Sequence, residues 1–431
     1  MRRLIVTVLL LAATVAAGTA PARVLRAAPG AALQPLLNRL QAGDVLALPA
    51  GRYEGRVRID RGITVRGDPG ARIVAHGRGD AIRVSAAGVI LEGLDVRNWG
   101  ADLTDMNAGV FIERQATGTV VRGSHLQGPG FGIWVDGTED VRLLGNRIQG
   151  RPELRSQDRG NGIHLYNVHG AVVAGNEVWQ TRDGIYIDTS NYNTLRSNYL
   201  HDLRYGVHYM YSYHNAVVDN RTRHTRTGYA LMQSKYLTVT GNRSEDDDNY
   251  GILMNFITHS EIRANRIVGV HRNRSYSGAA AAGAEGKALF MYNSLFNTIE
   301  GNLFAASDIG VHMTAGSEDN TLVGNAFIDN REQVKYVATR RQEWSQAGRG
   351  NYWSDYLGWD ADGDGLGDTV YEPNDAVDRI LWKHPAARLL LNAPAVEILR
   401  WVQRDFPVLR PEGVRDSHPL MQSPVVPAEG A

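Results

Sequence analysis

Asp360, Asp362, Asp364 and Asp368 stand at positions one, three, five and nine of a loop that turns at Gly365, with the Leu366 carbonyl at position seven. Hard oxygen ligands at this spacing suit Ca²⁺. Position twelve, where a bidentate Glu is expected, holds Tyr371, and Glu372 comes one residue late, so an acidic turn without metal competes with the calcium reading. A second set is soft: His208, Met210 and Met232 offer imidazole and thioether, which suit Cu(I). Residues so spaced meet only if the chain stacks them. A groove filled by Met and Tyr and covered by a partner or by the C-terminal segment explains the same residues without metal.

Stacking is what the rest of the chain encodes. A Gly-β-branched-x-aliphatic tetrad returns about every 22 residues, as in Gly132-Ile133-Trp134-Val135, Gly162-Ile163-His164-Leu165, Gly184-Ile185-Tyr186-Ile187 and Gly206-Val207-His208-Tyr209. A second register follows each tetrad by 14 or 15 residues: Ser124, Asn146, Asn176, Asn198, Asn220, Asn242, Asn265, Asn302 and Asn325. Two locked registers with short alternating apolar runs predict an all-β fold, a right-handed parallel β-helix solenoid. Its nine regular coils, at roughly 4.8 Å each, give a rod of about 43 Å. A leucine-rich repeat shares the period but needs Leu at each core slot, and here Ile, Val, Tyr and Met take those slots.

In such a coil the first and third residues after each glycine point inward, the second and fourth outward. The outward columns then carry Phe111, Trp134, His164, Tyr186, His208 and His312, and beside them Asp136, Asp188, Met210 and Met232. Met210 and Met232 are expected about 5 Å apart, with His208 about 7 Å along the strand. Met254, Met291 and Met313 fall in the inward column. The insertions all sit at one corner, so loops 99–107, 150–159 and 269–286 are expected to project side by side, the Ala-rich last one mobile. The run Glu245-Asp246-Asp247-Asp248 reads as a solvated turn at that corner, or as a docking point for a basic partner.

These elements divide the chain into a signal peptide (1–22), a β-helix domain (23–345), an Asp-rich loop and cap (346–383) and a partner-docking segment (384–431). A short amphipathic helix within 31–41 caps the open end, and strands at 45–48, 57–65, 72–74, 81–84 and 89–96 build the first irregular coils. Helix-like stretches at 384–392 and 395–405 carry Leu389, Leu390, Val396, Leu399, Trp401 and Val402, an apolar set expected to dock on another protein. Lys plus Arg and Asp plus Glu both number 46, which argues against nucleic acid. No cysteine is present, so neither disulfide nor lipid anchor is available. Many β-helices cleave or epimerise acidic polysaccharides, but the outward columns offer Asp136 and Asp188 without Arg or Lys, and no catalytic constellation is visible. An inert adhesin-like rod is the other alternative.

The coil registers, the string Gly350-Asn351-Tyr352-Trp353-Ser354-Asp355-Tyr356, the Asp360–Asp368 loop and the ending Asp416-Ser417-His418-Pro419-Leu420-Met421 together resemble the NosD family of periplasmic nitrous-oxide reductase maturation proteins. The resemblance covers nearly the whole mature chain. It implies an exported, non-enzymatic accessory of an ABC transporter, with the ATPase NosF and permease NosY. Such a protein helps assemble the copper-sulfide centre of nitrous-oxide reductase, NosZ, with copper supplied by the chaperone NosL. On this reading the His/Met face is a copper hand-over surface and the C-terminal helices clasp the permease.

Overall fold

The computed structural model describes residues 22–272, 285–314, 316–338, 340–384, 387, 390, 393–406 and 412–425; the expected signal peptide and most of the third insertion lie outside the described residues. Three parallel sheets of 13, 12 and 13 strands run the length of the molecule, each coil giving one strand to each sheet. One coil, for example, supplies Tyr205–Met210, Ala216–Val218 and Arg221–Arg223. The chain is therefore a parallel β-helix. The repeat alone counts nine coils; the additional depth comes from irregular coils at the N-terminus, which obey the stacking without the tetrad.

Sequence order becomes vertical contact through strict register. Val207 pairs with Tyr229 and Tyr209 with Leu231 between the strands Tyr205–Met210 and Thr227–Met232. These inward residues are fully buried, as are Met254, Met291 and Met313, which confirms the alternation read from the tetrads. Burial of such aliphatic and aromatic side chains, at about 25 cal/mol per Å², is the main stabilising term in a chain without disulfides.

The Asn register forms a ladder along one corner. Asn198 Nδ2 donates to Asn220 Oδ1 at 2.8 Å, and Asn220 Nδ2 donates to Asn242 Oδ1 at 3.0 Å. Each amide also serves the main chain: Asn220 Oδ1 accepts from Asn198 N at 3.0 Å, and Asn220 Nδ2 donates to Leu195 O at 3.0 Å. Buried backbone groups at the turn are thereby satisfied without water. The two glycine registers answer different demands. Gly145, before Asn146, has φ +59° and opens the corner, whereas a Cβ on Gly206 would meet Thr222 Cγ2 at 2.5 Å and Gly228 O at 2.6 Å, so close approach decides there.

Some expectations shift. The segments 57–65 and 89–96 each split into two strands, Val57–Ile59 with Thr64–Gly67 and Ile90–Glu92 with Asp95–Arg97, because a coil corner falls inside each apolar run. The acidic run is not a wholly solvated turn. Glu245 and Asp246 pair with Arg221 and Arg223, and Asp247 is buried, accepting from Thr225 N, Thr225 Oγ1, Thr222 Oγ1 and Ser244 Oγ.

Both ends are capped. At the N-terminus the helix Leu33–Leu37 buries Leu33 and Leu37 over the first coils. At the other end Asn351 extends the ladder one rung past Asn325, with Asn325 Nδ2 donating to Asn351 Oδ1 at 2.9 Å. Asp416, fully buried, accepts from Asn351 N at 2.8 Å and Trp353 Nε1 at 2.9 Å, and Val414–Arg415 pairs with Gln342–Glu343. The C-terminal strings thus return to the last coil and close it. Two helices intervene, Ala376–Lys383 and Pro394–Asp405. The second matches the expected 395–405; the first precedes the expected 384–392, most of which lies outside the described residues. Asp375 caps Ala376–Lys383 through a reciprocal pair with Asp378.

Candidate functional site

The outward column is continuous: Phe111, Trp134, His164, Tyr186, His208 and Ala230 pair in register on successive strands. Their rings touch, with centroids 4.0 Å apart for Trp134 and His164, 4.6 Å for His164 and Tyr186, and 4.4 Å for Tyr186 and His208. A sheet face carrying such rings would stand open to solvent if the coils were bare. Here the first two insertions cover it: Leu103 from the first and Arg159 from the second wall a cavity of about 250 Å³ over the column.

Beside the rings a buried carboxylate meets two basic side chains. Arg204 donates to both carboxylate oxygens of Asp183, at 2.8 and 2.6 Å, and His208 Nδ1 lies 3.0 Å from Asp183 Oδ2. Burial pushes Asp183 upward, but the bonds from His208 and Arg204 outweigh it and hold the carboxyl below its ordinary range. An ionised carboxylate only accepts, so the proton of this contact sits on His208 Nδ1. That arrangement, a carboxylate fixing one ring nitrogen, is the one that orients metal-binding imidazoles. Burial pushes His164 down to about 3 and Tyr186 up to about 12, so at neutral pH both are uncharged.

His208 therefore stands where expected but its ring is held within the cavity wall. Met210 and Met232 end adjacent strands at equivalent positions, one residue beyond the Tyr209–Leu231 pair. Both are partly exposed and neither lines the cavity. The structure thus places the two methionines at equivalent ends of adjacent strands and leaves His208 on the neighbouring column. Asp183, Arg204, Arg182 and Asn161 escaped the sequence reading because they lie at the corner just before the glycine-led strands, outside the tetrad. The signal was there: Asp183 immediately precedes Gly184, and Arg204 stands two residues before Gly206, on the corner that carries the insertions.

At the Asp-rich loop the carboxylates of Asp360, Asp362 and Asp364 converge, with ligand oxygens within 4.8 Å of one another. Asp360 accepts from Gly363 N at 2.7 Å and Gly365 N at 2.9 Å, and these backbone bonds hold its carboxyl below the ordinary range. Asp368 points back to the main chain, accepting from Ala361 N at 2.7 Å, and Leu366 N donates to Asp364 Oδ1 at 2.8 Å. Three of the five expected calcium ligands thus gather. Among the docking residues, Leu390, Leu399 and Trp401 are exposed, joined by Ile398; Val396 and Val402 are half-buried, and Leu389 lies outside the described residues. Among the described residues no helix is long and apolar enough to cross a membrane.

The model of a family described as "Periplasmic copper-binding protein (NosD)" matches residues 144–358. A "Probable ABC transporter binding protein NosD" of Pseudomonas aeruginosa is 60% identical over 378 residues, covering 88% of each chain. The protein of the same name from Stutzerimonas stutzeri is 58% identical over 377 residues, 88% of this chain and 86% of that one. Among solved structures, the A-module of the Azotobacter vinelandii mannuronan C-5 epimerase AlgE6 superposes with a TM-score of 0.57 at 15% identity, over 71% of this chain and 90% of that one. A family 6 alginate lyase does so at 0.53 and 13% identity, over 78% and 89%. At such identities the likeness shows the fold alone. Kinship is carried by the two bacterial relatives and the family match, and on them the chain belongs to the NosD family.

Proposed function

We propose that this protein is a periplasmic, non-catalytic accessory of an ABC transporter that matures the copper-sulfide centre of nitrous-oxide reductase. The observation that carries the reading is 60% identity over 88% of the chain to a protein named as an ABC transporter binding protein, together with a family described as copper-binding. The outward face supports it chemically. Met210 and Met232 offer two adjacent thioethers and His208 an oriented imidazole on the next column, a soft donor set of the kind that accepts and releases Cu(I). In this scheme NosL delivers the ion, the face passes it to apo-NosZ, and the protein stays with its transporter, NosF and NosY. The helix Pro394–Asp405, which exposes Ile398, Leu399 and Trp401, docks on the permease. Calcium at Asp360, Asp362 and Asp364, with Asp368 and Leu366 completing the loop, has a structural role. Deleting the gene in its host and examining the isolated reductase spectroscopically tests the proposal. Loss of the catalytic copper-sulfide centre alone is the expected result. An intact centre with altered extracellular polysaccharide would instead support a lyase or epimerase.

A further inference from the structure

The cavity over the outward column has a chemistry of its own, independent of copper. Three guanidiniums line it, from Arg159, Arg182 and Arg204, against one carboxylate, Asp183. Two of the three are committed. Arg204 is held by Asp183, and Arg159 donates to the carbonyls of Pro152, Leu154 and Gln180, fixing its own loop. Arg182 pairs with no described carboxylate, and its Nε is buried without a hydrogen-bond partner. Two further polar atoms of the wall are buried and unpartnered: Asn161 Oδ1, on a residue only 6% exposed, and Trp134 Nε1, on a residue 7% exposed. Orphaned polar atoms are uncommon in folded interiors, and three of them belong to residues that line this one cavity.

The wall specifies a ligand. An unspent guanidinium calls for an oxyanion, which it binds through paired N–H donors. Asn161, whichever way its amide is turned, and Tyr186, both in the lining, suit a molecule carrying hydroxyl groups, which both donate and accept. Phe131, Trp134 and Tyr186 line the cavity with aromatic side chains that suit an apolar surface. About 250 Å³ greatly exceeds the roughly 30 Å³ of one water and falls just under the range of drug-sized pockets. We infer that the cavity bounded by Arg182, Asn161, Trp134, Tyr186 and the first two insertions binds a small sugar acid, with its carboxylate on Arg182 and its ring against the aromatic wall.

Calorimetry on the metal-free, chelator-treated full-length protein separates this inference from the copper proposal, since neither His208 nor the methionines need hold metal. Titration with D-glucuronate should give saturable binding, with D-glucose and inorganic sulfate each at least ten-fold weaker. Arg182→Gln should weaken glucuronate binding roughly ten- to hundred-fold by removing one charge-assisted contact. Asn161→Asp, nearly isosteric, should weaken it comparably by placing a negative charge in the wall. Absence of saturable glucuronate binding by the wild-type protein overturns the inference. So does sulfate binding as tightly as glucuronate, or unchanged affinity in a natively folded Arg182→Gln protein.

Discussion

Asn220→Ala tests how the solenoid is held. Asn220 is fully buried at the middle of the amide ladder. Its side chain makes five hydrogen-bond contacts: Oδ1 accepts from Asn198 N and Asn198 Nδ2, and the two Nδ2 hydrogens are shared among Leu195 O, Val218 O and Asn242 Oδ1. The alanine variant loses all five and leaves the Asn198 N–H with no acceptor in a place water does not reach. At about 0.5 to 1 kcal/mol for each ordinary bond, and more for a buried orphan, the cost is about 3 to 5 kcal/mol. Because each coil contacts only its neighbours, that loss concentrates in the central coils. Urea unfolding followed by circular dichroism measures it, and hydrogen exchange localises it to the coils around residues 195–245. Asn220→Ser should recover part of the loss, because Ser124 already ends the ladder, its Oγ accepting from Leu94 N at 3.2 Å. A cost below about 1 kcal/mol for alanine, or serine no better than alanine, would refute the ladder as a source of stability.

Asp183→Asn should destabilise by about 2 to 3 kcal/mol in the same assay, a figure reduced for the partial exposure of Arg204, because it breaks a carboxylate–guanidinium pair of which the acid is buried. Asp247 gives a pH signature: burial raises its pKa to about 6, so between pH 4 and 6 the folded protein holds a proton that the unfolded chain releases. Stability from this residue is full below pH 4 and declines as pH rises to 6; Asp247→Asn should remove a decline of about 2 to 3 kcal/mol, and identical pH profiles for both proteins would contradict it. Calcium should raise the melting temperature and a chelator lower it, with Asp362→Asn abolishing the difference; no calcium effect on melting would remove the ion from the loop. Deleting 384–431 should lower the melting temperature as well as abolish association with the permease, because it removes Asp416 from Asn351 and Trp353. Replacing only 385–411 by a short Gly/Ser linker should lose the permease and keep the melt, and retained co-purification would discount the helix as a clasp.

The coil body is legible in the sequence because its determinants repeat. A two-residue period places Val207 and Tyr209 inside and His208 and Met210 outside, and the register between glycines stacks the columns without further information. What repeats least is hardest to read. Asn351 belongs to the ladder, yet it follows Asn325 by 26 residues rather than the usual 22 or 23 and opens a string that looks like a new motif. The helix Ala376–Lys383 follows a reciprocal Asp375 and Asp378 cap that is visible in the sequence, although its weakly apolar body draws attention to the more apolar stretch after it. The Asp183 cluster depends on corner geometry: Asp183, Arg204 and His208 meet only because two adjacent coils bring them together, and a buried carboxylate is indistinguishable in sequence from a solvated one. Asp247 is the same case, the one buried acid that the coils place inside an otherwise surface-facing run.

The copper hand-over face is tested most directly in the reductase itself. In a host lacking the native gene, the Met210→Leu and Met232→Leu double variant conserves side-chain volume and should melt within about 1 kcal/mol of wild type. Reductase isolated from that strain should lack copper in its catalytic copper-sulfide centre while its remaining copper is unaffected. A full complement of catalytic copper, with the double variant present at normal abundance, would contradict the assignment.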